Sequence, residues 1–231
     1  MEKTVVADHG PITDVARSME IALHETGHFV ALCATGLYDE FTSMTDLPRD
    51  YCGARVHGLT MRNGTSLMAY SRELCAAAQK LAADPSMLKE DSVREAFGKA
   101  ADVCLPHVCF FLGGGVVDGC FGTGSEQRNQ IDHGHVKNEL LATMRLPCED
   151  ELVRQMGEMV NGFLRGVFAR ESDSVARIAR LLKDRGTLDK RDTDGTLLED
   201  VNRIRRNAET EYAKLLVDFR RWWMGKVAPL A

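Results

Sequence analysis

The chain has 231 residues, 44% of them hydrophobic, and a formal net charge of −5. That length can bury a sizeable core as one domain or two small ones, and the acidic balance gives no global sign of nucleic-acid binding. Seven cysteines, an odd number with no CxxC pair, read as reduced and mostly buried thiols of a cytoplasmic protein rather than as a disulfide framework.

Residues 1–13 read as a short N-terminal arm, with a polar Met1 to Asp8 that lacks the apolar stretch of a signal peptide. From Asp14 to Thr35 the spacing predicts one helix, with Pro11 before it, Thr13 or Asp14 as its cap and Gly36 as its end. Val15, Met19, Ala22, Leu23, Phe29, Val30 and Cys33 form a broad apolar stripe on it. His24, Glu25 and His28 fall on the far side, flanked by Ile21 and Leu32, so the helix is apolar nearly all round and is expected to be buried. Buried histidines need partners, and a metal ion in an internal cleft supplies one.

His24-Glu25-Thr26-Gly27-His28 is an HExxH pattern. Histidines four apart on a helix lie one turn apart on the same face, so both imidazoles can close on one ion. Neutral imidazole with a neighbouring carboxylate suits Zn²⁺. Glu25 then projects beside the metal, where it can take a proton from a bound water.

Phe41 to Tyr70 changes character. Phe41–Thr45 and Arg55–Met61 are β-compatible runs, and Asn63-Gly64 before Thr65–Tyr70 is the strongest short hairpin signal. A small sheet beside the metal helix is expected. Helical patterns follow over Arg72–Ala83, stopped by Asp84-Pro85, and over Ser92–Cys120, with a kink expected near Pro106. The apolar run Val108–Val117 in the second of these carries three glycines and is too short to span a bilayer, so no membrane partner is expected. Gly113, Gly114 and Gly115 sit inside an apolar helix, which favours close helix packing over a phosphate loop.

Asp132–Met144 reads as a further helix and Glu149–Arg185 as one long helix or two; Asp189–Gly195 reads as a charged linker. Val201–Met224 is a last amphipathic helix, with Val201, Ile204, Ala208, Tyr212, Leu215, Phe219 and Trp222 at alternating spacings of three and four. That stripe suits packing back on the domain or self-association into a homo-oligomer. Arg203, Arg205, Arg206, Arg220, Arg221 and Lys226 make the helix locally basic, most simply as a solvated face.

A catalytic zinc site has three protein ligands and one open position. The residues after His28 lack the third histidine of the extended metzincin motif, so the third ligand comes from farther along. Glu73, Asp118, Glu126, Asp132, His133 and His135 are the candidates, and spacing does not choose among them.

The chain resembles the protease domain of the FtsH-type zinc metalloproteases. The likeness runs through Ala22–Ala31, Met44-Thr45-Asp46-Leu47-Pro48, Gly58-Leu59-Thr60, the glycine-rich Phe111–Gly122 with its acidic Asp118, Thr123-Gly124, and Leu181–Asp189. It covers residues 14–192, leaving 193–231 as a C-terminal helical extension. Where it departs, Gly115 stands in place of arginine, Asp118 in place of glutamate, and extra residues separate Thr123-Gly124 from Asp132. These 231 residues contain no Gly-x-x-x-x-Gly-Lys-Ser/Thr loop and no counterpart of the family's membrane anchor.

The resemblance implies a mainly helical fold with a small β-sheet and a zincin-like metal helix. It implies Asp132, read as the aspartate opening a helix, as third ligand beside His24 and His28. Asp118 is expected to orient a ligand histidine or to cap a buried polar network rather than to bind metal. The expected activity is zinc-dependent hydrolysis of peptide bonds in unfolded or flexible protein segments, independent of ATP, with Glu25 as general base. An edge strand within Phe41–Tyr70 would hold the extended substrate. The competing expectations are a regulator in which a fourth ligand such as Cys52, His57 or His133 closes a structural zinc site, and a peptidase that only a partner activates.

Overall fold

The computed structural model describes residues 19–51, 54–63, 73, 74, 76, 77, 79, 80, 83–123, 126–141 and 150–226. The expected caps at Thr13 and Asp14 and the run Thr65–Tyr70 lie outside them.

Helix α1, Met19–Thr35, is the centre of the molecule: every residue from Ala22 to Thr35 is buried. It ends where glycine was expected to end it. Gly36 adopts φ of 79°, Leu37 N–H donates to the Leu32 carbonyl (2.9 Å), and Gly36 N–H donates to that of Cys33 (3.3 Å). This pair of bonds satisfies carbonyls the helix itself leaves open.

The chain then forms strands β1 (Phe41–Tyr51) and β2 (Ala54–Arg62), paired antiparallel with Met44 opposite Thr60 and Thr45 opposite Leu59. The register shifts between Thr45 and Pro48, an irregularity that accommodates a proline lacking a ladder donor. At the far end of this hairpin Tyr51 stands opposite Ala54. Of the second hairpin expected at Asn63-Gly64, Asn63 N–H donates to the Glu40 carbonyl at 2.9 Å, and Gly64 onward lies outside the described residues.

Helix α2, Asp91–Phe121, lies against α1 at backbone contact. A Cβ on Gly27 would come within 2.5 Å of the Gly113 carbonyl oxygen, and one on Gly113 within 2.6 Å of the Gly27 carbonyl oxygen. These two glycines let the helices touch. α2 contains an 18-residue window apolar enough, at mean hydropathy 1.6, to cross a membrane by length and composition; 78% of that window is buried inside the protein.

After α2 come α3 (Glu126–His135), a π-turn at Val136–Leu141, α4 (Asp150–Arg170) and α5 (Ser172–Arg185). The stretch Glu149–Arg185 is thus two helices, broken at Glu171. Asp132 lies well inside α3 and does not open it, because the helix already begins at Glu126.

Gly186, with φ of 76°, closes α5 and leads into β3, Thr187–Asp189. β3 pairs with β1, Leu188 opposite Met44, so β1 is the middle strand of a three-stranded antiparallel sheet ordered β2-β1-β3. A three-residue strand carries too little alternation to be seen in sequence. Past Asp189, which ends β3, the expected linker Asp189–Gly195 is helical instead. The Asp189 carboxylate accepts from the N–H groups of Arg191 and Asp192, the Asp192 carboxylate accepts from Asp189 N–H, and the turns run straight into helix α6, Leu198–Lys226.

The apolar stripe of α6 faces inward. Val201, Ile204, Ala208, Phe219 and Trp223 are buried, and Tyr212, Leu215, Leu216 and Trp222 pack partly buried against the same core, which α6 shares with α1, α2 and α4. The architecture is mainly helical, with the small sheet and α6 both packed against α1.

Candidate metal centre

The site forms where α1, α2, α3 and β2 meet. One turn of α1 sets the His24 and His28 rings 4.8 Å apart, with their Nε2 atoms at 3.2 Å. The outer ring nitrogens are both engaged. His28 Nδ1 lies 2.7 Å from the Phe110 carbonyl oxygen, and His24 Nδ1 lies 2.9 Å from Asp118 Oδ2. A carbonyl and a carboxylate only accept, so both Nδ1 atoms carry hydrogen; the 3.2 Å contact between the Nε2 atoms is a hydrogen bond when one of them is protonated, and when both rings are neutral each Nε2 is free to bind a cation.

Asp132 completes the group from α3. Its Oδ2 is 3.7 Å from His24 Nε2 and its Oδ1 3.7 Å from His28 Nε2. The Gly115 N–H donates to Oδ2 at 3.1 Å and fixes the carboxylate. Three buried groups thus bring their ligand atoms together, an arrangement that could hold a cation. Tetrahedral Zn²⁺ with donors at about 2.0–2.1 Å would hold them about 3.3 Å apart, close to the spacings found. His24, His28 and Asp132 form a buried group that could hold a metal ion, and no fourth His, Cys, Asp or Glu belongs to it among the described residues.

Gly114 explains how the site fits against α2. A Cβ there would lie 2.5 Å from His28 Nε2 and 2.6 Å from His24 Nε2. The space a side chain would take is the space around the donor atoms.

The electrostatics follow from burial. Burial pulls the His28 imidazole down to about 3, with the neighbouring His24 adding to the fall. Burial also opposes charge on His24, but the Asp118 hydrogen bond and the Asp132 and Glu25 carboxylates together outweigh it and raise its pKa. Burial pushes Asp132 up to about 6 and Glu25 up to about 7. Without a cation the pocket shares protons; with a cation all three donors are free to bind.

Glu25 lies beside the group. Thr60 Oγ1 on β2 is 2.7 Å from its Oε2, and a Cβ on Gly58 would come within 2.6 Å of its Oε1.

The other sequence candidates are elsewhere. Asp118 supports His24 and accepts at Oδ1 from the Thr123 hydroxyl at 3.3 Å. His133 is exposed and turned toward α4, where a Cβ on Gly157 would meet its Cε1 at 3.5 Å. His135 stacks on Phe111 with centroids 5.7 Å apart, Glu73 is exposed, and His57 is half-buried on β2. Cys52 and the Glu126 side chain lie outside the described residues. Sequence reasoning gave no role to the Phe110 carbonyl, the Gly115 N–H, Gly58 or Thr60, and read Gly114 only as a packing residue between helices. Backbone groups leave no residue signature, though Gly58-Leu59-Thr60 was visible as a motif without a role.

Comparison of the chain with protein-family models, curated proteins and solved structures gives no match.

Proposed function

We propose that this chain is a zinc-dependent peptidase, similar to the FtsH-type protease domain, that cleaves unfolded or flexible protein segments without ATP. The observation that carries the proposal is the convergence of His24, His28 and Asp132 on one point with Glu25 at its side. When bound, the zinc ion supplies acidification of the attacking water and polarisation of the scissile carbonyl. His24 and His28 present Nε2 because Asp118 and the Phe110 carbonyl hold their Nδ1 hydrogens. Glu25 takes a proton from the attacking water and passes it to the leaving amine. Burial of Glu25, which lifts its pKa to about 7, suits a group that must both accept and give up a proton near neutral pH.

β2 carries Gly58 and Thr60 against Glu25, and among the described residues its only strand neighbour is β1. A peptide laid along its outer edge would pass the base in extended form. The free thiols of Cys33, Cys104, Cys109 and Cys120 fit a reducing, cytoplasmic setting. The absence of a phosphate loop from these 231 residues supports an activity indifferent to ATP.

A second reading is a peptidase opened by a partner. It is favoured by the burial of His24, Glu25, His28 and Asp132, which are 7, 6, 8 and 4% exposed.

The test is cleavage of matched folded and disordered forms of one substrate by zinc-loaded protein, with and without ATP. The disordered form should be cleaved at the same rate in both conditions, chelation should stop the reaction, and added zinc should restore it. ATP-dependent digestion of the folded form would contradict the proposal. A lack of cleavage by protein carrying one zinc would favour the partner-opened reading.

A further inference from the structure

Glu25 is held by two elements at once. α1 supplies its backbone, while β2 meets its carboxyl group with residues 58 and 60, which alternate with Leu59 and so share one face of the strand. Thr60 is 9% exposed, and its backbone is fixed in the ladder opposite Met44. Its hydroxyl lies 2.7 Å from Glu25 Oε2 and 3.1 Å from the Glu25 backbone carbonyl oxygen. Gly58, at φ of 114°, sits in a conformation that excludes ordinary side chains, and any Cβ there would fall 2.6 Å from Glu25 Oε1. The two carboxylate oxygens are therefore not equivalent.

We propose that Thr60 is a positioning residue for the base: its hydroxyl occupies Oε2 and leaves Oε1, in the space that Gly58 keeps clear, as the oxygen that accepts the proton. The inference rests on the peptidase reading given above. In the forward step one O–H bond of the water breaks, its proton goes to Oε1, and the water oxygen bonds to the scissile carbonyl carbon. In the second step the proton leaves Oε1 for the amine nitrogen as the C–N bond breaks.

A threonine hydroxyl has one hydrogen and two lone pairs. It can donate to Oε2 while Glu25 is ionised. It can also turn its hydrogen to the Glu25 carbonyl and accept from the carboxylic acid, so the contact serves Glu25 in both protonation states. Without it, a buried glutamate with three rotatable bonds would lose its fixed aim.

The test uses Thr60→Val, which keeps the shape and removes the hydroxyl, and Thr60→Ser, which restores it. With a disordered protein substrate, Thr60→Val should lower kcat by about tenfold to a hundredfold, as small misplacements of a catalytic group do, and leave KM and zinc content unchanged. Thr60→Ser should recover most of the rate. A wild-type kcat in Thr60→Val would overturn the proposal, as would a loss confined to KM or to zinc content, or a serine variant as slow as the valine one.

A second measurement does not depend on turnover. The unfolding midpoints of Thr60→Val, Glu25→Ala and the double variant should be non-additive, with Thr60→Val costing little once Glu25 is gone. Additive midpoints would overturn the contact itself. If wild-type protein cleaves nothing, the peptidase reading fails on that result, and the midpoints still decide whether Thr60 holds Glu25.

Discussion

Gly114→Ala places one methyl group among the donor atoms of the metal centre. The new Cβ would stand 2.5 Å from His28 Nε2 and 2.6 Å from both Cε1 and Nε2 of His24. Ordinary contact begins near 3.4 Å, so both imidazoles must retreat, by about 0.8–0.9 Å. Metal–ligand distances tolerate shifts of about 0.2 Å, and loss of an outer-shell partner alone weakens metal sites about tenfold to a hundredfold. Displacing the ligands themselves should therefore weaken zinc binding by at least about a hundredfold. The imidazoles are side chains and can swing, so the fold should survive.

Gly113→Ala is the control. Its Cβ would meet the Gly27 carbonyl oxygen at 2.6 Å and Ala31 Cβ at 3.0 Å, and backbone cannot swing aside. That variant should lose about 1–3 kcal/mol of stability through overpacking. Zinc affinity measured by competition with a chromophoric chelator, together with thermal unfolding of the metal-free proteins, separates the two effects. Wild-type zinc affinity in Gly114→Ala would refute the placement of the metal between the two Nε2 atoms.

Three further outcomes are expected. Asp132→Ala should lower the zinc content measured by mass spectrometry while His133→Ala leaves it intact, since Asp132 faces both histidines and His133 faces α4. His107, which burial and then the Arg62 charge pull down from 6.5 to about 3, should drain stability in acid. Above pH 6.5 it is neutral whether folded or unfolded; below that, the unfolded chain takes up a proton that the folded chain refuses, so stability falls with pH. His107→Gln should show a shallower decline between pH 7 and 5 in denaturant titrations. Finally, Trp223→Ala should cost about 3–5 kcal/mol, because the fully buried ring belongs to the common core, whereas the same change at exposed Val217 should cost under about 0.5 kcal/mol.

The meeting of the two histidines was legible because their spacing is local: its geometry is set by one helical turn. The end of α1 at Gly36 was legible for the same reason, since a glycine at that position needs only its own φ. The glycines of α2 were legible as packing residues, but not which of them meets α1 and which meets the histidines, because that depends on where two helices cross. Asp132 was found only through the order of motifs along the chain, and its helix starts earlier than the sequence suggested. β3 and the capped turn after it were missed, since three strand residues and a charged stretch look like a linker until β1 is there to pair with them. Thr60 was missed as a partner of Glu25 because the two are 35 residues apart and meet only when the sheet docks on α1.

The most direct measurement pairs wild-type protein with Glu25→Gln, each loaded with zinc and given a disordered protein such as casein. Both should carry about one zinc per chain, because the proposed ligands His24, His28 and Asp132 are untouched. The wild type should cleave, and Glu25→Gln should be slower by about a hundredfold to ten-thousandfold, having lost only its proton acceptor. Equal cleavage by the two proteins would contradict Glu25 as the base, and zinc-loaded wild type that cleaves nothing would contradict the claim that this chain alone is a peptidase.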